Sequence, residues 1–282
     1  MAEVPSTRSA LKRLAATVLG ERIARSLGEF VLDAGNLVSY VGDTRGRRSA
    51  SRLRKMRNSY HRRRCFIIGN GPSLQRMDLS PLRSEITFGL NRAYLMFERL
   101  GFDTTFLVSV NRLVIEQSGD EILGAPVGEV FMAWSARDVI SSARPILVRS
   151  LARPGFSTDA SRGVWEGATV TYVAMQLAYH MGFRDIILIG VDHTFASVGR
   201  PHQIVTSSGP DLNHFDRNYF GAGYRWQLPD LETSEIAYRM AGRAFEAVGG
   251  TIRDATVDGR LTVFPKVDFG SLFGAVDAPI DR

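Results

Sequence analysis

The sequence predicts an α/β fold with a doubly wound, mostly parallel, Rossmann-like sheet. Short apolar runs rich in β-branched residues alternate with helical segments along residues 65–282. Each run is apolar throughout instead of alternating with polar residues, which is typical of strands covered by helices on both faces. The 282 residues also suffice for a substantial core without disulfide or metal staples.

Six apolar runs are predicted as strands and three segments as helices. The strands fall at residues 65–68, 86–90, 105–110, 127–134, 186–190 and from 251 onwards. The helices fall at residues 93–100, 169–181 and 233–248, and each ends near a glycine, at Gly101, Gly182 and Gly249. Glycine commonly ends a helix because it adopts the left-handed conformation without a steric penalty.

The region 194–232 is long, weakly periodic and rich in Gly, Pro, Asn, Asp and His. A loop of this length inside a compact domain is usually an active-site lid or a partly disordered segment. We therefore predict an active-site loop here.

Residues 1–64 are predicted as a helical, basic N-terminal extension ahead of the α/β domain at 65–282. Apolar residues recur at near-helical spacing through residues 11–41, but Gly20, Gly28 and Gly35 interrupt them. The interruptions favour one or two amphipathic helices over a single long rod.

The positive charge of the chain is confined to this extension. Residues 1–64 hold 15 of the 35 Lys and Arg and 5 of the 29 Asp and Glu, a net charge of +10, against −4 for the rest. Ten of these cations fall within residues 45–64, without an acid among them. Such a run attracts phosphate, anionic lipid or an acidic partner non-specifically, so we predict no specific nucleic-acid binding.

An apolar helix followed by a basic segment has two interpretations. It anchors the chain to a membrane surface, or it packs on the body or on a second subunit. Packing is preferred because amphipathic helices usually serve it, and it leaves a homo-oligomer open.

The composition indicates a cytoplasmic protein. Cys65 is the only cysteine, which excludes an internal disulfide framework and a cysteine-based zinc site. No apolar run has the length of a membrane-spanning helix, and the N-terminus lacks the apolar core and cleavage site of a signal peptide.

Polar groups follow several predicted strands, at the edge where open α/β sheets bind ligands. The first strand runs into a glycine-rich loop, where glycines admit a ligand close to the backbone and free N–H groups can hold phosphate. It lacks the lysine of a P-loop and the third glycine of a dinucleotide fingerprint. The residues concerned are Gly69, Asn70, Gly71 and Ser73.

Asn91 and Asn111 follow the second and third strands. An amide that both donates and accepts suits a nucleobase or sugar edge, although each asparagine alone is also typical of a strand-end cap or turn. Thr169 starts the helix at 169–181, so it is either an ordinary N-cap or part of an anion site at the free N–H groups.

Asp192 and three histidines follow the strand at 186–190. The spacing of Asp192, His193, His202 and His214 matches no standard metal site. A single histidine acting as a general base needs fewer partners, because its pKa lies near the working pH.

These motifs resemble, in collinear order over residues 65–256, the bacterial CMP-sialic-acid-dependent sialyltransferases of lipooligosaccharide synthesis. The chain is also similar to a broader group that includes archaeal 6-hydroxymethylpterin diphosphokinase and flagellin-modifying glycosyltransferases. The matching positions are Gly69 to Leu74 with Asp78, Ser80 and Leu82, then Asn91, then Phe106 to Asn111 with Glu116 and Gln117, then Gly190 to Asp192, and Asn213 to Phe215.

The resemblance implies an inverting, metal-independent glycosyltransferase, without a cofactor, in surface-glycan synthesis. It would transfer a sugar, such as a nonulosonic acid from a CMP-activated donor, to a hydroxyl of a glycan or lipid-linked acceptor at the inner membrane face. It implies that Asn70, Gly71, Asn91 and Asn111 hold the nucleotide and donor, and that His214 is the catalytic base.

The chain departs from that pattern in one respect. The family's tyrosines, which steady the leaving phosphate, have no match at residues 161–166. Arg162 or the helix N-terminus at Thr169 is the predicted replacement, on charge alone. Two alternatives therefore stay open, a diphosphokinase using ATP and magnesium near Asp192 and a non-catalytic nucleotide-binding protein.

Overall fold

A computed structural model describes residues 7–195 and 199–273. The first six residues of the predicted extension, residues 196–198 of the long loop and residues 274–282 lie outside the described residues. The helices are α1 (Thr7–Gly42), α2 (Thr44–Met56), α3 (Phe97–Leu100), α4 (Arg112–Gly124), α5 (Val170–Met181) and α6 (Leu231–Glu246). The strands are β1 (Arg64–Ile68), β2 (Thr87–Leu90), β3 (Phe106–Ser109), β4 (Glu129–Ala133), β5 (Ile146–Val148), β6 (Asp185–Ile189), β7 (Ile204–Thr206), β8 (Arg225–Gln227) and β9 (Thr251–Asp254).

Seven strands form one parallel sheet in the order β5-β4-β3-β2-β1-β6-β9. The strand order reverses between β1 and β6, where the chain crosses from one half of the sheet to the other. Helices cover both faces, which confirms the predicted doubly wound α/β fold. In such a sheet the reversal leaves a crevice at the carboxyl ends of the strands.

The apolar runs that predicted the sheet are its core. Residues 65–68 of β1 and 186–189 of β6 have no exposed side-chain surface. Gly101, Gly182 and Gly249 take positive φ after their helices, at 68°, 99° and 69°. These predictions are confirmed, because fully buried strands and glycine stops have strong local signatures.

Four elements were not predicted, α4, β5 and the strands β7 and β8, which lie in the region predicted as a loop. In α4 the backbone at Ser118 leaves helical geometry (φ −136°, ψ 18°) just before Gly119, so the helix is kinked where its sequence pattern breaks. β5 has only three residues, too few to show a period.

The glycines of the extension do not break its helix. α1 runs through Gly20, Gly28 and Gly35 as a single helix of 36 residues, so the expectation against one long rod was wrong. Each interior glycine costs about 1 kcal/mol relative to alanine, which a long helix tolerates. The side chains of Leu11, Leu14 and Val18 lie outside the described part.

α2 packs against β5 at the edge of the sheet. Leu53 is fully buried and its carbonyl oxygen bonds the Nε2 of His180 at 2.8 Å, while the Ser49 hydroxyl accepts the Leu147 N–H at 3.0 Å. α2 therefore shares one hydrophobic core with residues of the α/β domain.

Much of the basic run is used within the chain. Arg45 donates to the carbonyl oxygens of Arg137 and Ile140, and Arg52 pairs with Glu129. Further pairs join Arg57 to Asp159 and Arg64 to Glu85. These contacts attach α2, the residue after it and the first residue of β1 to other parts of the α/β domain. No helix within 7–195 or 199–273 combines the length and apolar character needed to cross a bilayer.

Candidate functional site

A large cavity lies at the carboxyl ends of β1, β2, β3 and β6. It measures about 710 Å³, and the residues before α5 and the segments around 213–214 and 226–231 complete its walls. This is the crevice that the strand order creates between β1 and β6. Of the residues predicted from sequence, the lining includes Gly69, Asn70, Gly71, Asn91, Asn111, Thr169, Asp192 and His214.

The glycine-rich loop after β1 lies against the end of β6. A Cβ on Gly69 would overlap the carbonyl oxygen of Gly190, and one on Gly71 would overlap the carboxylate of Asp192. The Gly71 N–H bonds the Gly190 carbonyl at 2.9 Å, which holds the two strand ends together. Glycine is needed here for close backbone approach, as predicted.

Asp192 closes this loop from the opposite strand. Its two carboxylate oxygens accept the Ser73 N–H at 3.0 Å and the Ser73 hydroxyl at 2.7 Å. Ser73 itself is buried and is not part of the cavity lining. The predicted Asp192 and Ser73 are thus brought together, in a contact that shapes the loop.

Asn70 offers an unpaired acceptor at the cavity wall. Its Oδ1 is buried and has no hydrogen-bond partner among the described residues. Its backbone carbonyl accepts the Phe215 N–H at 2.8 Å, which fixes the residue next to the loop that carries His214. Buried amide oxygens are normally paired, so this atom favours a ligand that donates a hydrogen bond.

Asn91 and Asn111 line the same cavity and also serve the backbone. Asn91 takes a left-handed conformation (φ 49°) after β2 and accepts from the Ser109 hydroxyl at 3.1 Å. Asn111 caps α4 through Leu113 N–H at 2.9 Å and donates its Nδ2 to Gln227 at 3.2 Å. Asn111 is therefore a helix cap and Asn91 a turn residue, and both lie in the cavity wall, while their predicted contacts with a nucleobase or sugar stay predictions.

His214 forms a pair with Asp211. The Nδ1 of His214 lies 2.7 Å from the Asp211 carboxylate, and its ring stacks on Tyr219 with centroids 4.0 Å apart. The His214 side chain is only 13% exposed and lines the cavity. No hydrogen bond between described residues occupies its Nε2, which leaves that nitrogen for a ligand.

Asp211 is built to stay ionised. Burial raises its pKa, but hydrogen bonds from His214 and from the N–H groups of Asn213 and Phe220 outweigh this and hold the pKa below its usual value. An ionised carboxylate at Nδ1 selects the tautomer with a free Nε2 and stabilises the imidazolium. The geometry is that of a general base with its orienting group.

Sequence reasoning did not find Asp211. Its signal was a carboxylate three residues before the candidate histidine, inside the segment predicted as a loop. That segment contains the antiparallel strands β7 and β8 and a cluster of packed aromatic rings. In this cluster Tyr219 is fully buried, and the ring of Phe220 stacks on that of Trp226 with centroids 5.6 Å apart. These rings fix the loop where its sequence shows no period.

The N-terminus of α5 forms another wall. Thr169 is its N-cap and accepts the Thr171 N–H at 3.3 Å, while Gly167 and Ala168 both take positive φ before it. The N-cap interpretation is confirmed. Whether the helix end also binds an anion stays a prediction.

Glu166 is a cavity residue that the sequence did not indicate. It accepts a hydrogen bond from the Ser150 hydroxyl, and burial raises its pKa. Ser150 belongs to a distant segment that bridges to Val164, so sequence spacing held no signal for the contact. The wall therefore carries a carboxyl group whose pKa lies above its usual value.

The remaining candidates are separated. His193 bonds Glu235 at 3.1 Å and His202 bonds Asp230 at 3.2 Å, so the histidines have different acidic partners. Within 7–195 and 199–273 no three His, Cys, Asp or Glu residues form a metal-binding group. Arg162 is exposed and outside the cavity lining, and its predicted role stays a prediction.

A protein-family model and a solved structure match parts of this chain. The family model of 6-hydroxymethylpterin diphosphokinase MptE-like proteins matches residues 41–198. Among solved structures, the chain is similar to the MAf glycosyltransferase from Magnetospirillum magneticum AMB-1, with 17% identity and a TM-score of 0.47. That match covers 75% of this chain and 35% of the other, so the chain spans about a third of that protein. No curated protein matches.

Proposed function

We propose that this chain, which belongs to the 6-hydroxymethylpterin diphosphokinase MptE-like family, is an inverting and metal-independent glycosyltransferase. It transfers a sugar from a nucleotide-activated donor to a hydroxyl group, with a CMP-activated nonulosonic acid as the preferred donor. The observation that carries the proposal is the Asp211–His214 pair, because it supplies a general base at a nucleotide-sized cavity. We propose a cytoplasmic reaction on a glycan or lipid-linked acceptor in surface-glycan synthesis.

The His214 Nε2 takes the proton of the acceptor hydroxyl as its oxygen attacks the anomeric carbon of the donor. The bond from that carbon to the phosphate oxygen breaks, and its electron pair leaves with the nucleotide. Asp211 holds the Nδ1–H and stabilises the imidazolium. Attack from the face opposite the nucleotide inverts the configuration of that carbon.

The charge of the cavity favours a donor with few phosphates. Arg112 is the only Lys or Arg among the described lining residues, and it is already paired with Asp138 and Glu116. Glu166, Asp192 and Asp230 add carboxyl groups to the wall. A nucleoside monophosphate sugar brings less negative charge here than a triphosphate, which needs cations for neutralisation.

The family's description favours a second candidate, diphosphate transfer from ATP to a hydroxymethyl group. The Asp211–His214 pair would serve that reaction as well, because the attacking group is again a hydroxyl. Such a transfer ordinarily uses Mg²⁺. The fit is poor, since Asp192 is already bonded to Ser73 and the described residues form no metal-binding group.

Ligand-induced stabilisation separates these candidates. We expect CMP to raise Tm equally with magnesium and with EDTA, by the equivalent of about 2.7 kcal/mol at 100 times its Kd. Stabilisation by ATP only with magnesium would support the diphosphokinase. If no nucleotide shifts Tm, both enzyme candidates fail.

The role of the base is tested by His214→Ala. We expect transfer to fall by about 10²- to 10⁴-fold while CMP still stabilises the protein, since general-base catalysis contributes this much. His61→Ala is the matched control, because His61 is exposed and outside the cavity lining. Unchanged transfer by His214→Ala contradicts the assignment, and binding without transfer by the native chain supports a non-catalytic nucleotide-binding protein.

A further inference from the structure

α1 carries an apolar surface that the body does not cover. Large apolar side chains along its second half are strongly exposed, up to 69% for Phe30 and Val38. The others are Ile23, Leu27, Val31, Leu32, Leu37 and Val41, at 45–62%. A soluble chain rarely leaves so many neighbouring apolar side chains exposed without a partner.

These residues follow the spacing of a coiled-coil seam. Ile23, Leu27, Phe30, Ala34, Leu37 and Val41 are separated alternately by four and three residues, a period of 3.5. Val31 and Val38 flank the seam on one side. This period keeps a straight stripe in contact with another helix over many turns.

The stripe lies on a flank of α1 that the body leaves open. The body holds α1 through Asp33, which accepts the Ala152 N–H at 2.7 Å, and through the Tyr40 hydroxyl, which donates to the Leu147 carbonyl at 2.9 Å. At 100° per residue these two positions share one face, and the centre of the stripe lies roughly 90° around the helix from it. Leu32 is exposed but falls outside the stripe.

The charge of this half of α1 disfavours a membrane surface. Residues 21–42, which span the stripe, contain Glu21, Glu29 and Asp33 against Arg22 and Arg25, a net charge of −1. A helix that lies on anionic lipid carries an excess of Lys and Arg on its polar face. An apolar stripe without that excess instead suits another protein helix.

We propose that the stripe of α1 (Ile23, Leu27, Phe30, Ala34, Leu37 and Val41) docks antiparallel on the α1 stripe of a second copy of this chain. Antiparallel pairing centred on residue 32 sets Phe30 of one copy against Ala34 of the other, a large side chain against a small one. The same register pairs Leu27 with Leu37 and Ile23 with Val41. Parallel pairing would place Phe30 against itself and Ala34 against itself, a crowded layer next to an empty one.

The buried area suffices for a stable dimer. The seven large apolar side chains of the stripe and of its flank at Val31 and Val38, at about 100 Å² each, give about 700 Å² per copy, close to the roughly 800 Å² per partner of a standard protein–protein interface. The interface is isologous, since the same stripe serves both copies. The proposal goes beyond the catalytic function and does not depend on it.

The mass of the full chain in solution, measured by light scattering, tests the proposal. We expect twice the 31.2 kDa of one chain at micromolar concentration. Leu27→Glu, on the stripe, should give the mass of one chain. Leu32→Glu is the matched control, because both leucines are 62% exposed on the same helix and only Leu27 belongs to the stripe; it should stay dimeric.

The orientation is tested by the distance between spin labels on Ser26→Cys, next to the stripe. Cys65 is fully buried, so the label reacts at residue 26. Antiparallel docking separates the two labelled positions by about 18 Å along the axis, and parallel docking leaves them about 10 Å apart. A monomeric native chain, a dimer that survives Leu27→Glu, or a distance of about 10 Å overturns the proposal, as does a monomer that binds phosphatidylglycerol vesicles through Leu27.

Discussion

Gly71→Ala tests why the loop after β1 needs glycine. The backbone of Gly71 has φ −69° and ψ 156°, which any residue adopts, so the substitution adds no backbone strain. The added Cβ overlaps the Asp192 carboxylate and lies 2.9 Å from the Gly190 carbonyl oxygen. The substitution therefore measures the steric overlap of the new Cβ with Asp192 and Gly190 and no change in backbone conformation.

The magnitude follows from the bonds that Asp192 must give up. Moving the carboxylate away breaks its bonds to the Ser73 N–H and hydroxyl, at 3.0 and 2.7 Å. Hydrogen bonds to a charged group contribute about 1.5–3 kcal/mol each. Water replaces part of this at the half-buried Asp192, so we expect a loss of about 3 kcal/mol, or about 6–12 °C in Tm.

The assay is urea denaturation of four proteins, the native chain, Gly71→Ala, Asp192→Ala and the double variant. Removing the carboxylate leaves only the milder contact with Gly190, so Gly71→Ala should cost about 1 kcal/mol in that background. The difference of about 2 kcal/mol is the coupling between the two sites. Gly124→Ala is the control, because its Cβ meets no atom within 4 Å.

Equal costs of Gly71→Ala in both backgrounds would refute the reasoning. The loop would then need glycine for a reason other than the contact with Asp192. A native-like unfolding free energy for Gly71→Ala would refute it as well. In either case the bonds from Ser73 would not hold the loop against β6.

Three further predictions concern pH, each measured as the unfolding free energy from urea titrations. Burial raises the pKa of Glu166 above its usual value of 4.5. Its contribution to the unfolding free energy is therefore present below pH 4.5 and lost as pH rises, and Glu166→Gln should weaken this pH dependence. The lowered pKa of Asp211 stabilises the fold above 3.8 and this contribution is lost as pH falls; Asp211→Asn should remove that acid-side slope and cost about 2 kcal/mol at neutral pH. Burial lowers the pKa of His180, so stability should fall as pH drops below 6.5, less in His180→Gln. Unchanged slopes in these variants would contradict the assigned groups.

The sheet was predictable because its signals are local. The β1 and β6 strands are continuous apolar runs, and burial on both faces leaves no other arrangement for them. The length of α1 was not predictable. Its interior glycines lower the helix propensity, and nothing in the sequence shows that the helix continues through them. α4 was not predicted because the kink at Ser118 interrupts its helical sequence pattern.

The candidate site was partly predictable for the same reason. Asn70, Asn91 and Asn111 follow predicted strands, and parallel strands bring their carboxyl ends to one edge. The roles of Asp211 and Glu166 depend on contacts that the spacing of residues in the sequence does not reveal. Hydrogen bonds from His214 and from the N–H groups of Asn213 and Phe220 orient Asp211, and the bridge from Ser150 to Val164 positions Glu166.

The base and the ligand-binding loop are mechanically connected. The backbone carbonyl of Asn70, a residue of the cavity wall, accepts the Phe215 N–H, one residue after His214, while the Asn70 Oδ1 is buried with no hydrogen-bond partner among the described residues. Gln75 adds a second connection by donating to the Phe215 carbonyl. A ligand that bonds the Asn70 side chain therefore acts on the residue that also holds the base, so donor binding and the position of His214 are coupled through Asn70.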